Sequence, residues 1–364
     1  MAMMKAAAFL EKGRIEIVEK PIPDVGPNDA LIRITTTTIC GTDVHILKGE
    51  YPVAKGLTVG HEPVGVIEKL GSAVQGYTEG QRVIAGAICP NFNSYAAQDG
   101  YPSQDGSYLA ARGLCGCHGY KATAGWRFGN LIDGTQAEYV LVPDAQANLA
   151  PIPDGLPDEQ VLMCPDIMST GFAGAENANI KIGDTVVVFA QGPIGLCATA
   201  GARLLGATTI IAVDGNDHRL GIAKKMGADV TLNFRNVDVV SEVLRLTGGK
   251  GADSSIEALG TQATFEQAMK VIKPGGTLSS LGVYSDDLKI PLSAFAAGLG
   301  DHTIRTALCP GGKERMRRLM NVIEGQRLDL GVLVTHQRKL DEIVEAYDLF
   351  AHQRDGVLKI AIKP

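Results

Sequence analysis

The 364-residue sequence predicts an α/β protein of two domains, a β-rich first half followed by a doubly wound parallel sheet. Three observations carry that prediction. Up to about residue 142, short apolar runs are broken repeatedly by Pro and Gly. From about residue 185, apolar runs alternate with helical periodicity. At the start of that second regime, TVVVFA (185–190) runs straight into a glycine turn and a helix.

In the first half, strands are expected over 30–39, rich in Ile and Thr, and over 62–70, 81–85 and 138–142. Pro21, Pro23, Gly26, Pro27, Gly76 and Gly80 punctuate them, which favours a barrel-like or partly open β domain. Residues 87–130 are polar, glycine-rich and irregular, an excursion of the length used for functional or interface lobes. In the second half, strand 185–190 leads to helix 194–205, and strand 209–213 ends at Asp214. A helix over 218–226, a strand over 230–232 and a helix over 237–246 follow. Strands 254–258 and 277–281 flank a helix over 262–272. That alternation indicates a parallel sheet covered on both faces. After Pro310 come a helix over 313–324, a short run at 332–335, another helix and a strand over 357–362. Spacing leaves open whether this tail closes the sheet domain or returns to the first one.

Composition narrows the function classes. Lys and Arg total 34 against 40 Asp and Glu, a net charge of −6, which gives a polyanion nothing to hold; no nucleic-acid partner is expected. The N-terminal apolar run is interrupted at Glu11 and Lys12, short of a secretory core. No uncharged apolar run has the length of a membrane span, so no membrane partner is expected. Seven cysteines without an export signal read as thiols or metal ligands, and the cytoplasm is the expected location.

The turn Ala190-Gln191-Gly192-Pro193-Ile194-Gly195 is a G-x-G-x-x-G fingerprint whose first glycine is alanine. Gly192 can admit a pyrophosphate to the backbone, Gly195 permits close helix–sheet packing, and the helix from Ile194 directs amides at phosphate oxygens. Read alone it is only a tight turn; its place between strand and helix, with Asp214 closing the next strand, makes it a dinucleotide site. The Asp214 carboxylate can accept bonds from both adenosine ribose hydroxyls and would repel a 2′-phosphate, so NAD is the expected cofactor. Arg219, close in sequence, would favour the opposite assignment, NADP; its plain reading is a surface helix charge or an adenine stacking partner.

Two clusters lie in the β-rich half, Cys40-Gly41-Thr42-Asp43-Val44-His45 and Gly60-His61-Glu62. Cys, His and carboxylate suit zinc, and catalytic zinc commonly takes three protein ligands. Asp166, at the junction of the halves, is a further candidate, which would build the site from both domains. Each has a plain alternative: a buried small thiol for Cys40, a core histidine for His61, a helix N-cap for Asp166. Their coincidence with a dinucleotide fold favours the metal.

With GHEPVG (60–65), GSAVQGYTEGQRV (71–83) and AQGPIG (190–195), the chain resembles the zinc-containing medium-chain alcohol dehydrogenases over essentially its whole length. AGWRFGN (124–130), DGTQAEY (133–139), PDIMSTGFAGAE (165–176) and LCPGG (308–312) make it most similar to the bacterial secondary-alcohol branch. The resemblance implies a GroES-like catalytic domain (1–165), a Rossmann NAD-binding domain (166–310), a tail (311–364) returning to the catalytic domain, and a homotetramer. It implies one catalytic zinc per subunit on Cys40, His61 and Asp166, with Glu62 an alternating or neighbouring ligand. Thr42 would be the hydroxyl nearest the substrate, His45 the end of a proton relay through the nicotinamide ribose, and Asp43 a group that orients the metal loop. Trp126 would line the substrate pocket, where a rigid ring limits one substituent of the carbonyl carbon. The reaction implied moves hydride between NAD(H) and a secondary alcohol/ketone pair.

Two departures matter. Wider-family members hold a second, structural zinc on four closely spaced cysteines; here that lobe offers Cys89, Cys115 and Cys117, with His118 beside them, and lacks the C-x-x-C-x-x-C spacing, so no second zinc is expected. The secondary-alcohol branch is often NADP-linked and has a small residue where Asp214 stands. A polyol or sugar-alcohol dehydrogenase is the alternative enzyme, and a non-catalytic NAD-binding protein the alternative of another class. A zinc-free quinone oxidoreductase shares the fold but would not need Cys40, His61 and Asp166.

Overall fold

The structure is a computed structural model that describes residues 2–113 and 119–364. Its contacts gather into two compact units, one running up to Ser169 and resuming over Cys309–Pro364, the other spanning Thr170–Leu308. Below, helices of seven residues or more are numbered.

The first unit is the β-rich one. Strands β1 (Met3–Glu11) and β2 (Arg14–Pro21) form an antiparallel hairpin, followed by β3 (Ala30–Thr38) and helix α1 (Gly41–Leu47). Then come β4 (Val64–Leu70), β5 (Arg82–Ala85), β6 (Tyr139–Val142) and β7 (Leu149–Pro151). Each of the four strands expected here forms within two residues of its predicted bounds. Helix α1 was not expected: it starts immediately after the Thr-rich strand, where Asp43 accepts the backbone N–H of Cys40 at 2.9 Å and so caps the first turn.

Cys164–Met168 forms a single π-helical turn, closed by Met168 N–H to Met163 C=O at 2.8 Å, and runs into α2 (Ser169–Asn177). Such turns displace one residue from the regular ladder and recur at functional sites. Asp166 lies inside it, not at an N-cap.

The second unit holds β8 (Thr185–Phe189), α3 (Pro193–Leu204), β9 (Thr209–Asp214), α4 (Asp217–Lys225), β10 (Val230–Asn233), α5 (Val239–Leu246), β11 (Ala252–Glu257), α6 (Gln262–Lys270), β12 (Ile272–Ser280) and β13 (Thr303–Thr306). The six strands are parallel in the order β10-β9-β8-β11-β12-β13. This is the Rossmann-like sheet, with its order reversing between β8 and β11. Helix starts follow side-chain caps: Asn216 for α4, Asp238 for α5 and Thr261 for α6. Val187, Phe189, Ile211, Phe265, Met269 and Leu278 are among the buried residues of its core.

The tail contributes α7 (Lys313–Glu324), β14 (Val334–Lys339), α8 (Ile343–Ala351) and β15 (Lys359–Lys363). It belongs to the first unit, where the seven-stranded sheet runs β14-β15-β3-β4-β5-β7 with β6 on the other side of β3. Strand β15 pairs antiparallel with β3 through Ala361–Thr38 and Ile362–Thr37. Ile343, Tyr347, Ile360 and Ile362 share one core with Phe9 and Ile39. No helix among the described residues is long and apolar enough to cross a membrane.

Candidate metal centre and dinucleotide turn

Strand β3 ends at Thr38, and two residues later Cys40 turns the chain into α1. His61 and Glu62 precede β4, and Asp166 sits in the π turn. These four donors are buried, and one ligand atom from each lies within 4.8 Å of all the others. Cys40 Sγ and His61 Nε2 each stand 3.4 Å from Asp166 Oδ2. Ligands about 2.0–2.3 Å from a tetrahedral zinc are themselves about 3.3–3.8 Å apart, so the spacing fits that ion. Glu62 Oε2 is buried with no hydrogen-bond partner, a further free donor atom at the site. All four donors belong to the first unit, Asp166 included, and are not divided between the two.

The other face of His61 meets Asp43, with Nδ1 3.4 Å from Oδ1. A carboxylate behind a ligating imidazole fixes its orientation and raises its basicity. Asp43 is itself held by the Cys40 amide and by Gln136 Nε2 at 3.2 Å, and Gln136 accepts from Tyr347 Oη at 2.9 Å. Asp43 thus faces the metal loop from within, consistent with orientation and not with proton exchange with solvent.

The fully buried Lys359 of β15 donates to Glu62 Oε1 at 2.6 Å and to Ile39 C=O at 3.2 Å. Burial, and then Asp166, push the Cys40 thiol and the Glu62 carboxyl up from their ordinary ranges. Burial opposes charge on His61, but Asp43, Asp166 and Cys40 outweigh it and raise the imidazole well above the usual value. For Lys359, burial is likewise outweighed by Glu62 and Cys40, and the ammonium is pushed up. Donors crowded in this way hold protons tightly, and a divalent cation relieves the crowding by replacing them.

Thr42 places Oγ1 3.9 Å from Cys40 Sγ. His45, one turn on, lies on the same helix face, with its side chain 45% exposed and Nδ1 against Glu50 Oε2. Trp126 donates Nε1–H to Phe128 C=O at 2.8 Å, which fixes its ring. That ring stands edge-on to His61 at 6.2 Å and to Tyr51 at 6.0 Å, and Tyr51 meets His45 at 5.5 Å. The result is an aromatic wall running from the metal donors to the surface histidine.

Elsewhere in the first unit, the buried Cys89 thiol donates to Gly86 C=O at 3.3 Å and is pushed up to about 12 by burial. Cys115, Cys117 and His118 lie outside the described residues. In the excursion, the buried Arg127 guanidinium pairs with Asp105 at 2.9 Å, and Asp105 also accepts the Asn91 amide at 2.7 Å.

In the second unit, Gly192 begins α3 with no side-chain cap, and a Cβ there would meet nothing within 4 Å, so the space above the turn is open. A Cβ on Gly195 would lie 1.8 Å from Ala190 C=O, so that position has no room for a side chain. Pro193 and Ile194 form the intervening first turn of α3. Ala190 has φ +68°, in the left-handed region that costs an alanine about 1–2 kcal/mol and a glycine nothing comparable. The fingerprint's missing first glycine is thus replaced by strain, with the turn's shape retained.

The buried Asp214 carboxylate accepts the Gln191 amide through Oδ2 at 2.6 Å and the Asn216 amide through Oδ1 at 2.9 Å. A carboxylate offers about four acceptor positions, so two remain, in an orientation set by the backbone. Arg219 is half-buried on α4, and its amide donates to Asn216 Oδ1 at 3.3 Å.

Sequence reading missed Lys359, Gln136, Tyr347 and Tyr51. Lys359 had a signal, a lone cation inside the apolar run VLKIAI. Of the others, Gln136 and Tyr51 stand in bends and Tyr347 in α8, ordinary polar or aromatic residues with nothing local to mark them.

Two family descriptions match the chain: an alcohol dehydrogenase GroES-like domain over residues 26–154 and a zinc-binding dehydrogenase over residues 193–325. An alcohol dehydrogenase of Cupriavidus necator is 86% identical, covering 100% of this chain and 99% of the relative. An NADP-dependent isopropanol dehydrogenase of Entamoeba histolytica is 38% identical, covering 99% and 96%. The solved zinc-dependent alcohol dehydrogenase 2 of Streptococcus pneumonia, in apo form, superposes with TM-score 0.87 at 31% identity, covering 99% and 98%.

Proposed function

The chain belongs to the zinc-binding medium-chain alcohol dehydrogenase family, and from that premise we propose that it interconverts secondary alcohols and ketones with NAD(H). That it is a zinc-dependent alcohol dehydrogenase follows from its relatives and its donor set; substrate class and cofactor are our reading. When bound, zinc supplies a Lewis acid for the substrate oxygen and the nicotinamide supplies the hydride acceptor or donor. Cys40, His61 and Asp166 would hold the metal, with Glu62, whose Oε2 has no hydrogen-bond partner, an alternating or neighbouring ligand. Thr42 would accept the substrate proton as it passes its own hydroxyl proton onward, and His45 would be the terminal acceptor that exchanges it with solvent. Asp43 orients His61. The Trp126 ring beside His61 is the observation that favours small secondary alcohols over polyols: a rigid apolar wall next to the metal donors offers nothing to a row of hydroxyls. The isopropanol activity named for the E. histolytica relative points the same way. A steady-state panel of 2-butanol, 1-phenylethanol, sorbitol and threitol tests this, and higher kcat/KM for the polyols would replace the reading.

For the cofactor, Gly192, Pro193, Ile194 and Gly195 form the phosphate turn, and Asp214 takes the adenosine ribose, with Arg219 beside it. The E. histolytica relative is named NADP-dependent, but a buried, backbone-anchored carboxylate is a poor neighbour for a 2′-phosphate. Asp214→Gly is expected to remove charge-assisted bonds worth about 1.5–3 kcal/mol, lowering kcat/KM for NAD by roughly ten- to more than a hundredfold. The gain with NADP will be smaller, as no arginine clamp is created. Wild-type kcat/KM favouring NADP would overturn the assignment.

We further propose a homotetramer. Strand β13 is exposed along its whole length, and Leu292 and Leu299 expose 74% and 83% of their surfaces. Light scattering on the zinc-loaded protein reads this directly; a monomer would count against it.

A further inference from the structure

Glu257, the last residue of β11, is fully buried and has no cationic partner among the described residues. Four donors hold it instead, with a further hydroxyl beside them. Oε1 accepts the amides of Leu259 and Gly260 at 2.9 and 2.8 Å and the Thr264 hydroxyl at 2.7 Å. Oε2 accepts the Tyr284 hydroxyl at 2.8 Å and lies 3.5 Å from Ser280 Oγ. Ser280 and Tyr284 share a bond of 2.8 Å, and burial keeps the phenol protonated by pushing it up. One carboxylate therefore ties the chain leaving β11 to the chain leaving β12.

The two exits interlock too closely for side chains. A Cβ on Gly282 would lie 2.1 Å from the Gly260 amide and 2.5 Å from Glu257 Oε2, and one on Gly260, at φ +91°, would lie 2.3 Å from Val283 C=O. This junction borders the dinucleotide turn. Ala258 N–H bonds to Phe189 C=O at 3.1 Å, and its Cβ is 3.7 Å from where a Cβ on Gly195 would stand.

In a doubly wound sheet the dinucleotide crosses the carboxyl ends of the strands where their order reverses, here between β8 and β11. Asp214 closes β9, so the adenosine half belongs on the β9 side and the other half on the β11–β12 side. Leu259 and Val283 expose 55% and 57% of their surfaces at that edge. We propose that Glu257 is a positioning residue for the nicotinamide half of the cofactor, fixing the paired exits of β11 and β12 as the backbone wall on which that half rests. The inference rests on the dinucleotide site described above.

The test compares NADH with 5′-AMP, which fills only the adenosine side. Full-length, zinc-loaded wild type, Glu257→Gln and Tyr284→Phe are titrated with NADH by fluorescence and with AMP by calorimetry. Glutamine turns an NH₂ group towards the donors, and NADH affinity is expected to fall about tenfold or more while AMP affinity stays within about twofold. Tyr284→Phe removes a single donor and leaves the charge in place; an NADH-specific loss of about two- to fivefold is expected, and this variant carries the test should Glu257→Gln not fold. Equal losses for both ligands, or undiminished NADH affinity, would overturn the proposal, since a residue that merely stabilises the sheet moves both or neither. Failure of AMP to compete with NADH in wild type would instead overturn the dinucleotide site itself, before either variant is read.

Discussion

Cys40→Ser is expected to lose zinc and turnover together. The residue ends the turn between β3 and α1 with Sγ 3.4 Å from Asp166 Oδ2, inside a set of four buried donors. A serine hydroxyl matches the shape closely but is a much poorer zinc ligand than a thiolate. The fold around it should survive, since the Cys40 amide, not its sulfur, makes the bond to Asp43 that starts α1. Loss of Lewis-acid stabilisation worth several kcal/mol corresponds to a fall in kcat/KM of about three orders of magnitude or more. Elemental analysis should give about one zinc per chain in wild type and little in the variant. A variant that keeps both its zinc and its rate would remove Cys40 from the ligand set.

Thr42→Val is expected to act oppositely on the two readouts, slowing turnover while zinc content and NADH affinity hold. Valine preserves the branched shape of threonine on the first turn of α1 and removes only the hydroxyl beside Cys40 Sγ. With no group to take the substrate proton, kcat should fall by about 10²–10⁴-fold, the usual worth of a positioned proton-transfer group. His45→Ala should be milder, because the side chain is already 45% exposed and water can replace a terminal acceptor. A Thr42→Val enzyme of nearly wild-type rate would leave Thr42 a merely structural role.

Much of this architecture could be read from the order of residues, and the exceptions have physical causes. Helix α7 forms over the bounds expected for it, and β3, β4, β5, β6, β8, β9, β10, β11 and β15 lie within two residues of theirs, because their apolar patterns are strong. Strands β7 and β13 escaped notice: LAP is three residues ending in Pro, and TIRT is four residues and exposed, with no alternation to mark it. Strand β12 starts five residues before its expected bound, because Lys273, Pro274, Gly275 and Gly276 break the apolar pattern, and there the register with β11 shifts. At the metal centre the donors were legible by type and motif, whereas what stands behind them was not. Gln136 and Tyr347 reach Asp43 from distant segments, and only the fold says that Lys359 meets Glu62.

That last pairing bears on the order in which a nascent chain becomes an enzyme. Glu62 and Lys359 are 297 residues apart, with the whole second unit made between them. A carboxylate sealed from water without its cation is strongly disfavoured, so the pocket around Glu62 must stay hydrated until β15 arrives. The Rossmann-like unit, drawn from one unbroken segment, can fold meanwhile. Closure of the metal centre around Glu62 therefore depends on a contact of high sequence separation, the kind that is costly to form early in folding.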